Sequence, residues 1–185
     1  MKKIGDRISY EKHDGFFTII ISTQIDKWKE NLMLMWLLAW TFCGSIFMYY
    51  FFNGNIQGDE KLTLFVMIIF WTYFEIRITR AYLWRRFGLE FIRIDEDRVT
   101  IKRSIKGYGR ATPILSSQIE KITPADLKER SYAKVFNDSF WLIGKGTIRI
   151  QAKDDDIYIG SQLNLNDASK LSKEMNKILK SYVEI

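Results

Sequence analysis

The chain has 185 residues, of which 47% are hydrophobic and 27% charged, and its formal net charge is +6. This length allows one modest domain with a membrane anchor and excludes two large domains. Apolar residues concentrate in 31–84, and basic residues flank that stretch, so membrane topology explains the charge better than nucleic-acid binding. The single cysteine, Cys43, excludes an intrachain disulfide and a metal cluster built from thiolates.

The first predicted element is a β-hairpin within residues 1–23. Two extended stretches, Arg7–Lys12 and Phe16–Ser22, flank the residues His13-Asp14-Gly15, and Asp-Gly between extended stretches is typical of a hairpin turn. We interpret the only histidine as a solvated residue of that turn. We expect the hairpin to pack with strands that follow the apolar stretch.

Two apolar helices are predicted next, as a hairpin over residues 24–87. The first span, 32–52, contains no charge, and about 20 residues cross a hydrocarbon layer of about 30 Å. A capping-box-like pair, Thr23 and Asp26, predicts that its helix begins near Gln24. The second span, 62–81, becomes polar in its last third. These spans predict an integral, multi-pass protein of the cell (inner) membrane.

The charge around the spans predicts their orientation. The connection 53–61 carries one lysine and two acids, whereas lysine and arginine crowd the other ends of both spans. Because such residues stay on the cytoplasmic side, we expect an external loop and two cytoplasmic termini. We further expect Gly88 to end the second helix as its C′ residue. The membrane-interface anchors predicted on the inner side are Trp28, Arg77, Arg80, Trp84, Arg85 and Arg86.

Glu75 is the one ionisable residue expected to lie well inside the bilayer, about 8 Å from the inner boundary. We expect an indole N–H from the region Trp36 to Trp40 to donate to its carboxylate. An intramembrane acid is by default a candidate for a proton or ion relay. The alternative is a structural role in the hairpin, which we favour because the spans contain no second acid.

Residues 88–185 alternate apolar and polar side chains over several short runs and then end in a helix. That helix carries an apolar stripe, with Asn164 or Asn166 as its N-cap. Seven strands followed by a helix predict an α+β domain of the pleckstrin-homology-like (PH-like) barrel type. The predicted strands are Leu89–Ile94, Arg98–Ile105, Tyr108–Ala111, Gln118–Ile122, Phe140–Ile143, Thr147–Ala152 and Ile157–Ile159.

Several segments carry a likeness to a known group of proteins. They are DRISYEKHDGFFTIII near the start, Trp40-Thr41 and Trp71-Thr72 in the spans, and the block FGLEFIRIDEDRVTIKRSIKGYGR after them. Over nearly the whole chain the sequence resembles uncharacterised bacterial two-span membrane proteins with an N-terminal β-hairpin and a C-terminal PH-like domain. The resemblance implies an architecture and no particular activity.

The sequence contains no lysine-bearing phosphate loop, no G-x-S-x-G and no HExxH motif, so we predict no catalytic, cofactor-binding or metal-binding residue. Four basic residues on one strand–turn–strand unit are candidates for binding anionic lipid or a partner: Lys102, Arg103, Lys106 and Arg110. The alternative reading of these four is an ordinary charged hairpin.

The leading hypothesis is a non-enzymatic, membrane-anchored PH-like module that acts as a scaffold or accessory subunit. Its expected partners are membrane lipids, a protein, or further copies of itself through the spans, and not nucleic acid. The alternative hypothesis is a subunit of an oligomeric transport or ion-conducting assembly that uses Glu75.

Overall fold

The computed structural model describes residues 1–125, 139–144, 146–153 and 155–183. Within these ranges lie three α-helices, which are α1 (Lys27–Asn53), α2 (Gly58–Phe87) and α3 (Leu165–Val183). The strands of the same ranges are β1 (Lys2–Ile4), β2 (Ile8–His13), β3 (Phe16–Ser22), β4 (Gly88–Asp95), β5 (Arg98–Ile105), β6 (Ala111–Leu115), β7 (Ile119–Pro124), β8 (Ile148–Ala152) and β9 (Asp156–Ile159).

Helices α1 and α2 form a hairpin, and both are long and apolar enough to cross a membrane. They contain 27 and 30 residues, which corresponds to about 40 and 45 Å at 1.5 Å per residue. Helix α1 begins at Lys27 rather than near Gln24, and its N-cap Asp26 makes no side-chain capping bond. The predicted capping box is therefore wrong.

Six strands form one antiparallel sheet in the order β1-β2-β3-β4-β5-β6. Strand β3, which precedes the helical hairpin, pairs with β4, which follows it, from Phe16 opposite Asp95 to Ser22 opposite Leu89. Pro113 lies in the edge strand β6, where a missing N–H costs little. One sheet therefore receives strands from both sides of the helical hairpin.

Strands β7, β8 and β9 form a second antiparallel sheet. The alternation in β3 turns Phe17, Ile19 and Ile21 inward, and these side chains join isoleucines of β4 and β8 in one core. Helix α3 adds its apolar stripe, including the fully buried Leu171 and Met175. Asn164 is the N-cap of α3, since its Oδ1 accepts the Asp167 N–H at 2.7 Å.

The structure corrects the predicted barrel. Among the described residues, no strand ladder joins the six-stranded sheet to the three-stranded one, so the barrel does not close. The predicted strand Phe140–Ile143 is wrong, because these residues form a turn and an irregular segment. The strand expected at Tyr108–Ala111 starts at Ala111 instead, and β1 was not predicted. The sequence also predicts an irregular stretch over Thr123–Asp138; Thr123 and Pro124 instead belong to β7, and residues 126–138 lie outside the described residues.

Candidate functional site

The N-terminal strands and the helical hairpin meet at Thr23, directly after β3. Its hydroxyl lies 2.5 Å from the carbonyl oxygen of Trp84 and 2.8 Å from that of Gly88. Gly88 follows the last residue of α2, as predicted, but with a φ of −73° it does not adopt the left-handed conformation typical of a C′ glycine. A Cβ there would instead overlap the Thr23 hydroxyl and the Trp84 ring. Helix α2 thus passes directly into β4, and both ends of the helical hairpin are fixed to one sheet.

Arg85, in the last turn of α2, is buried inside the protein with 1% of its surface exposed. Its Nε and Nη2 donate to the carbonyl oxygens of Phe140 (3.4 Å) and Leu142 (2.8 Å). Burial, and then the charge of Arg7, lower the pKa of Arg85 to about 10, so the group remains charged at neutral pH. The predicted interface anchors Arg85 and Trp84 are therefore wrong, because both side chains are covered by protein.

A buried carboxylate connects the two sheets. Glu90 of β4 is 0% exposed; its Oε1 accepts from Arg103 Nε at 3.1 Å and its Oε2 accepts the Gly160 N–H at 2.6 Å. Arg103 also donates to the carbonyl oxygen of Tyr158 in β9 at 2.6 Å. The pair thus spans from the six-stranded sheet to the three-stranded one.

Arg7 adds a second positive charge near this carboxylate. Its guanidinium donates to the carbonyl oxygens of Ser22 (2.8 Å), Gln162 (2.7 Å) and Ser161 (3.0 Å). Burial lowers the pKa of Arg7, and the Glu90 carboxylate opposes this shift. Arg7 therefore fixes β3 to the turn that precedes α3.

The roles of Glu90 and Arg7 were not predicted from the sequence. One signal for Glu90 was present, since the period of two that points Ile92 and Ile94 inward also points Glu90 inward. A charged residue at a core position requires a partner, and Arg103 stands directly opposite it in the register of β4 and β5. No comparable local pattern identifies Arg7.

The four predicted basic residues do not form one surface. Lys102 and Arg103 lie on opposite faces of β5, as their alternation predicts, and Lys102 is half-buried. Arg103 is committed to Glu90 and to the second sheet. Lys106 and Arg110 are exposed at the turn between β5 and β6.

That turn lies beside the end of α2. Gly88, the first residue of β4, pairs with Ile105, the last residue of β5. Lys106 then places its Nζ 4.2 Å from the centre of the Phe87 ring. Tyr108, at the tip of the turn, is 86% exposed. The turn therefore projects at the end of the sheet from which the helices emerge.

Segment 139–142 packs against the helical hairpin. The Trp141 ring meets Trp36 of α1 edge to face, with ring centres 5.6 Å apart. Phe140 and Trp141 also pack against a small cluster at the ends of α1 and α2 that includes Met33 and Tyr82. Between this segment and the helices lies a groove of about 640 Å³, lined mainly by aromatic and aliphatic side chains together with Arg77.

Glu75 is bonded by a hydroxyl rather than by the predicted indole. The Thr41 hydroxyl of α1 donates to Glu75 Oε1 at 2.9 Å, whereas Oε2 is buried without a partner. The Trp71 indole donates to the backbone carbonyl oxygen of Trp40 at 2.9 Å, and Trp40 Nε1 has no partner. These contacts connect the two helices near their middle.

The other predicted interface anchors are exposed. Trp28 is 62% exposed, and Arg77 and Arg80 of α2 are exposed as well, with Arg77 also lining the groove. Arg86 is exposed and pairs with Glu30 of α1 at 3.4 Å. Contact of these residues with lipid headgroups stays a prediction.

Within the described part of the chain, no group of three or more histidine, cysteine, aspartate or glutamate residues is arranged to hold a metal ion. The buried charges at the centre of the domain are bonded within the fold. Glu90 accepts from Arg103 and from the Gly160 N–H, and Arg7 donates to backbone carbonyl oxygens such as that of Gln162. The arrangement around them therefore serves to connect the elements of the fold.

Comparisons with known proteins do not assign a family. No family model matches this chain, and a search of curated proteins finds no match. The resemblance to two-span proteins with a PH-like domain stays a prediction that rests on the residues quoted above.

Proposed function

We propose that this chain is a non-enzymatic, membrane-anchored module that acts as a scaffold or accessory subunit. In this proposal the helical hairpin crosses the inner membrane, both termini are cytoplasmic, and the β domain is a PH-like unit that binds anionic lipid or a protein partner. The observation that carries the proposal is the junction at Thr23 and Gly88, which fixes both ends of the hairpin to one sheet. A domain attached at two points keeps a constant orientation, as a scaffold requires.

The turn between β5 and β6 favours anionic lipid as the first ligand. It projects toward the end of α2, so a bilayer around the hairpin brings Lys106, Tyr108 and Arg110 to the inner leaflet. Each basic residue near such a surface contributes about 1 kcal/mol of attraction. An exposed tyrosine between two basic residues also suits the headgroup layer.

The test uses the full chain reconstituted in vesicles, with Tyr108→Cys in a Cys43→Ser background and an environment-sensitive dye at position 108. We expect a blue shift when phosphatidylglycerol replaces part of the phosphatidylcholine, and loss of that shift at high salt. Adding Lys106→Gln and Arg110→Gln removes the shift if these residues bind the leaflet.

A matched control carries the same charge change at the opposite end of the strands. Lys12→Gln with Arg98→Gln alters two exposed residues beside the distal turns. This pair is expected to leave the shift intact. A shift that is equal in vesicles of both compositions, or that persists after the loss of Lys106 and Arg110, overturns lipid binding by the turn.

A transport role is the second candidate, and the observation that favours it is the unpartnered Oε2 of Glu75 between the helices. An acid in such a position suits a proton or ion relay. Two helices enclose no pore, so this function requires several copies or other subunits. Proton or ion flux in vesicles that is unchanged by Glu75→Gln excludes it.

A further inference from the structure

We propose that the groove between the helical hairpin and segment 139–142 binds one anionic phospholipid of the surrounding bilayer. This site is separate from the β5–β6 turn, and it can be occupied whether or not the domain acts as a scaffold. It does depend on the hairpin being embedded in a membrane.

The walls of the groove have the chemistry of an acyl-chain site. Trp36 of α1, Phe74 and Ile78 of α2, and Trp141 and Leu142 of the segment line it. Lipid around a plain helix meets side chains on one side only, whereas here a chain would be flanked by the helices and by the segment. The groove has a volume of about 640 Å³, which lies within the size range of ligand-binding sites.

The charge in the groove selects the headgroup. Arg77 lines the groove together with apolar residues, and its guanidinium lies 5.9 Å from the centre of the Tyr73 ring. No acidic residue is among the lining residues. Arg77 lies four residues before the predicted inner end of the span at residue 81, so its side chain reaches the phosphate layer. Arg77 therefore complements the negative headgroup of a lipid, and the apolar walls of the groove complement its acyl chain.

The segment that forms the outer wall is held in place. The carbonyl oxygens of Phe140 and Leu142 accept hydrogen bonds from Arg85, which is 1% exposed. The Ser139 carbonyl oxygen accepts from Gln162 Nε2 at 2.7 Å. Three successive tethers along four residues make the groove a formed site and not the surface of a loose loop.

The test places a photoreactive benzoylphenylalanine at position 142 of the full chain, in vesicles of phosphatidylcholine and phosphatidylglycerol. Mass spectrometry of the product identifies what occupies the groove. We expect a phospholipid adduct enriched in phosphatidylglycerol relative to the vesicle composition. The same probe at Phe70, an exposed residue of α2 away from the groove, is expected to give adducts in proportion to that composition.

Charge variants then test the role of the cation. Arg77→Gln is expected to reduce the phosphatidylglycerol enrichment about fivefold, the factor for one basic residue at an anionic leaflet. Arg77→Lys retains most of it, and Arg80→Gln, the matched change three residues later, leaves it unchanged. Enrichment that survives Arg77→Gln overturns the proposal. So does an adduct with a second copy of the chain or with another protein.

Discussion

In the β domain, apolar side chains point inward, whereas in the helical hairpin most of them point outward. Ile19, Ile92 and Ile150 are 0% exposed, but Phe42 and Phe70 of the helices are 68% and 64% exposed. Burial away from water stabilises the first region. If the second region crosses a bilayer, as proposed, it is held by close packing and by hydrogen bonds between its helices, because apolar surface gains nothing from leaving lipid.

The polar contacts differ in the same way. In the domain, one buried carboxylate connects two sheets, pairs with Arg103 and interacts with the charge of Arg7, so its loss leaves positive charges without compensation. In the hairpin, the contacts between helices are a hydroxyl on a carboxylate and an indole on a carbonyl oxygen. We therefore expect large effects from polar variants in the domain and small ones in the hairpin.

The largest effect is expected at Glu90. Glu90→Ala leaves Arg103 and Arg7 without their carboxylate and should lower the free energy of unfolding by about 4 kcal/mol. Thermal unfolding of the full chain in detergent measures this. Glu96→Gln, at an exposed position in the next turn, serves as the control and should change little. Equal stability of the two variants would refute the central role of the buried carboxylate.

Arg85 and Arg86 give a matched pair at the boundary between the two regions. Arg85→Gln removes charged donors from two carbonyl oxygens and should cost about 3 kcal/mol, with faster hydrogen exchange in segment 139–142. Arg86→Gln removes an exposed ion pair with Glu30 and should change the free energy of unfolding little. The prediction fails if exchange in the segment responds equally to both variants.

Close packing in the hairpin is tested at Gly44. Any Cβ there would overlap the Trp71 indole, so Gly44→Leu should separate the helices and cost about 2 kcal/mol. Cys43→Leu places the same side chain on the exposed side of α1 and should be tolerated. Resistance of the two variants to unfolding by added dodecyl sulfate provides the measurement. Similar resistance would show that the helices do not rely on this contact.

The smallest effect is expected for the hydrogen bond between Thr41 and Glu75. A double-mutant cycle with Thr41→Val and Glu75→Leu should give a coupling free energy of about 0.6 kcal/mol, the average for such bonds between membrane helices. Unfolding in detergent again supplies the four free energies. A coupling as large as the loss at Glu90 would remove the contrast between the two regions.

The elements with a strong local pattern were predictable. The uncharged run in α1, the Asp-Gly turn between β2 and β3, and the stripe of α3 each follow from neighbouring residues. Phe140–Ile143 was predicted as a strand because its run of apolar residues fits a buried strand equally well. Only the helical hairpin, against which segment 139–142 packs, distinguishes an irregular packed segment from a buried strand.

The candidate sites were predictable only in part. Lys106 and Arg110 were identified from charge and are exposed, and binding of lipid or a partner by them stays a prediction. Arg103 and Arg85 were misassigned because the sequence shows that a residue is charged but not which partner it meets. Both contact residues more than 50 positions away, namely Tyr158 and Phe140.

The sequence by itself determined the two long apolar helices, strands β2 to β5 and the basic ends of the spans, because hydropathy and charge act over a few neighbouring residues. Only the tertiary structure decided that β3 pairs with β4 across the helical hairpin, that the sheets remain two, and that Arg77 lies in an apolar groove. These features depend on contacts between distant residues, and such contacts form only when the whole chain is packed.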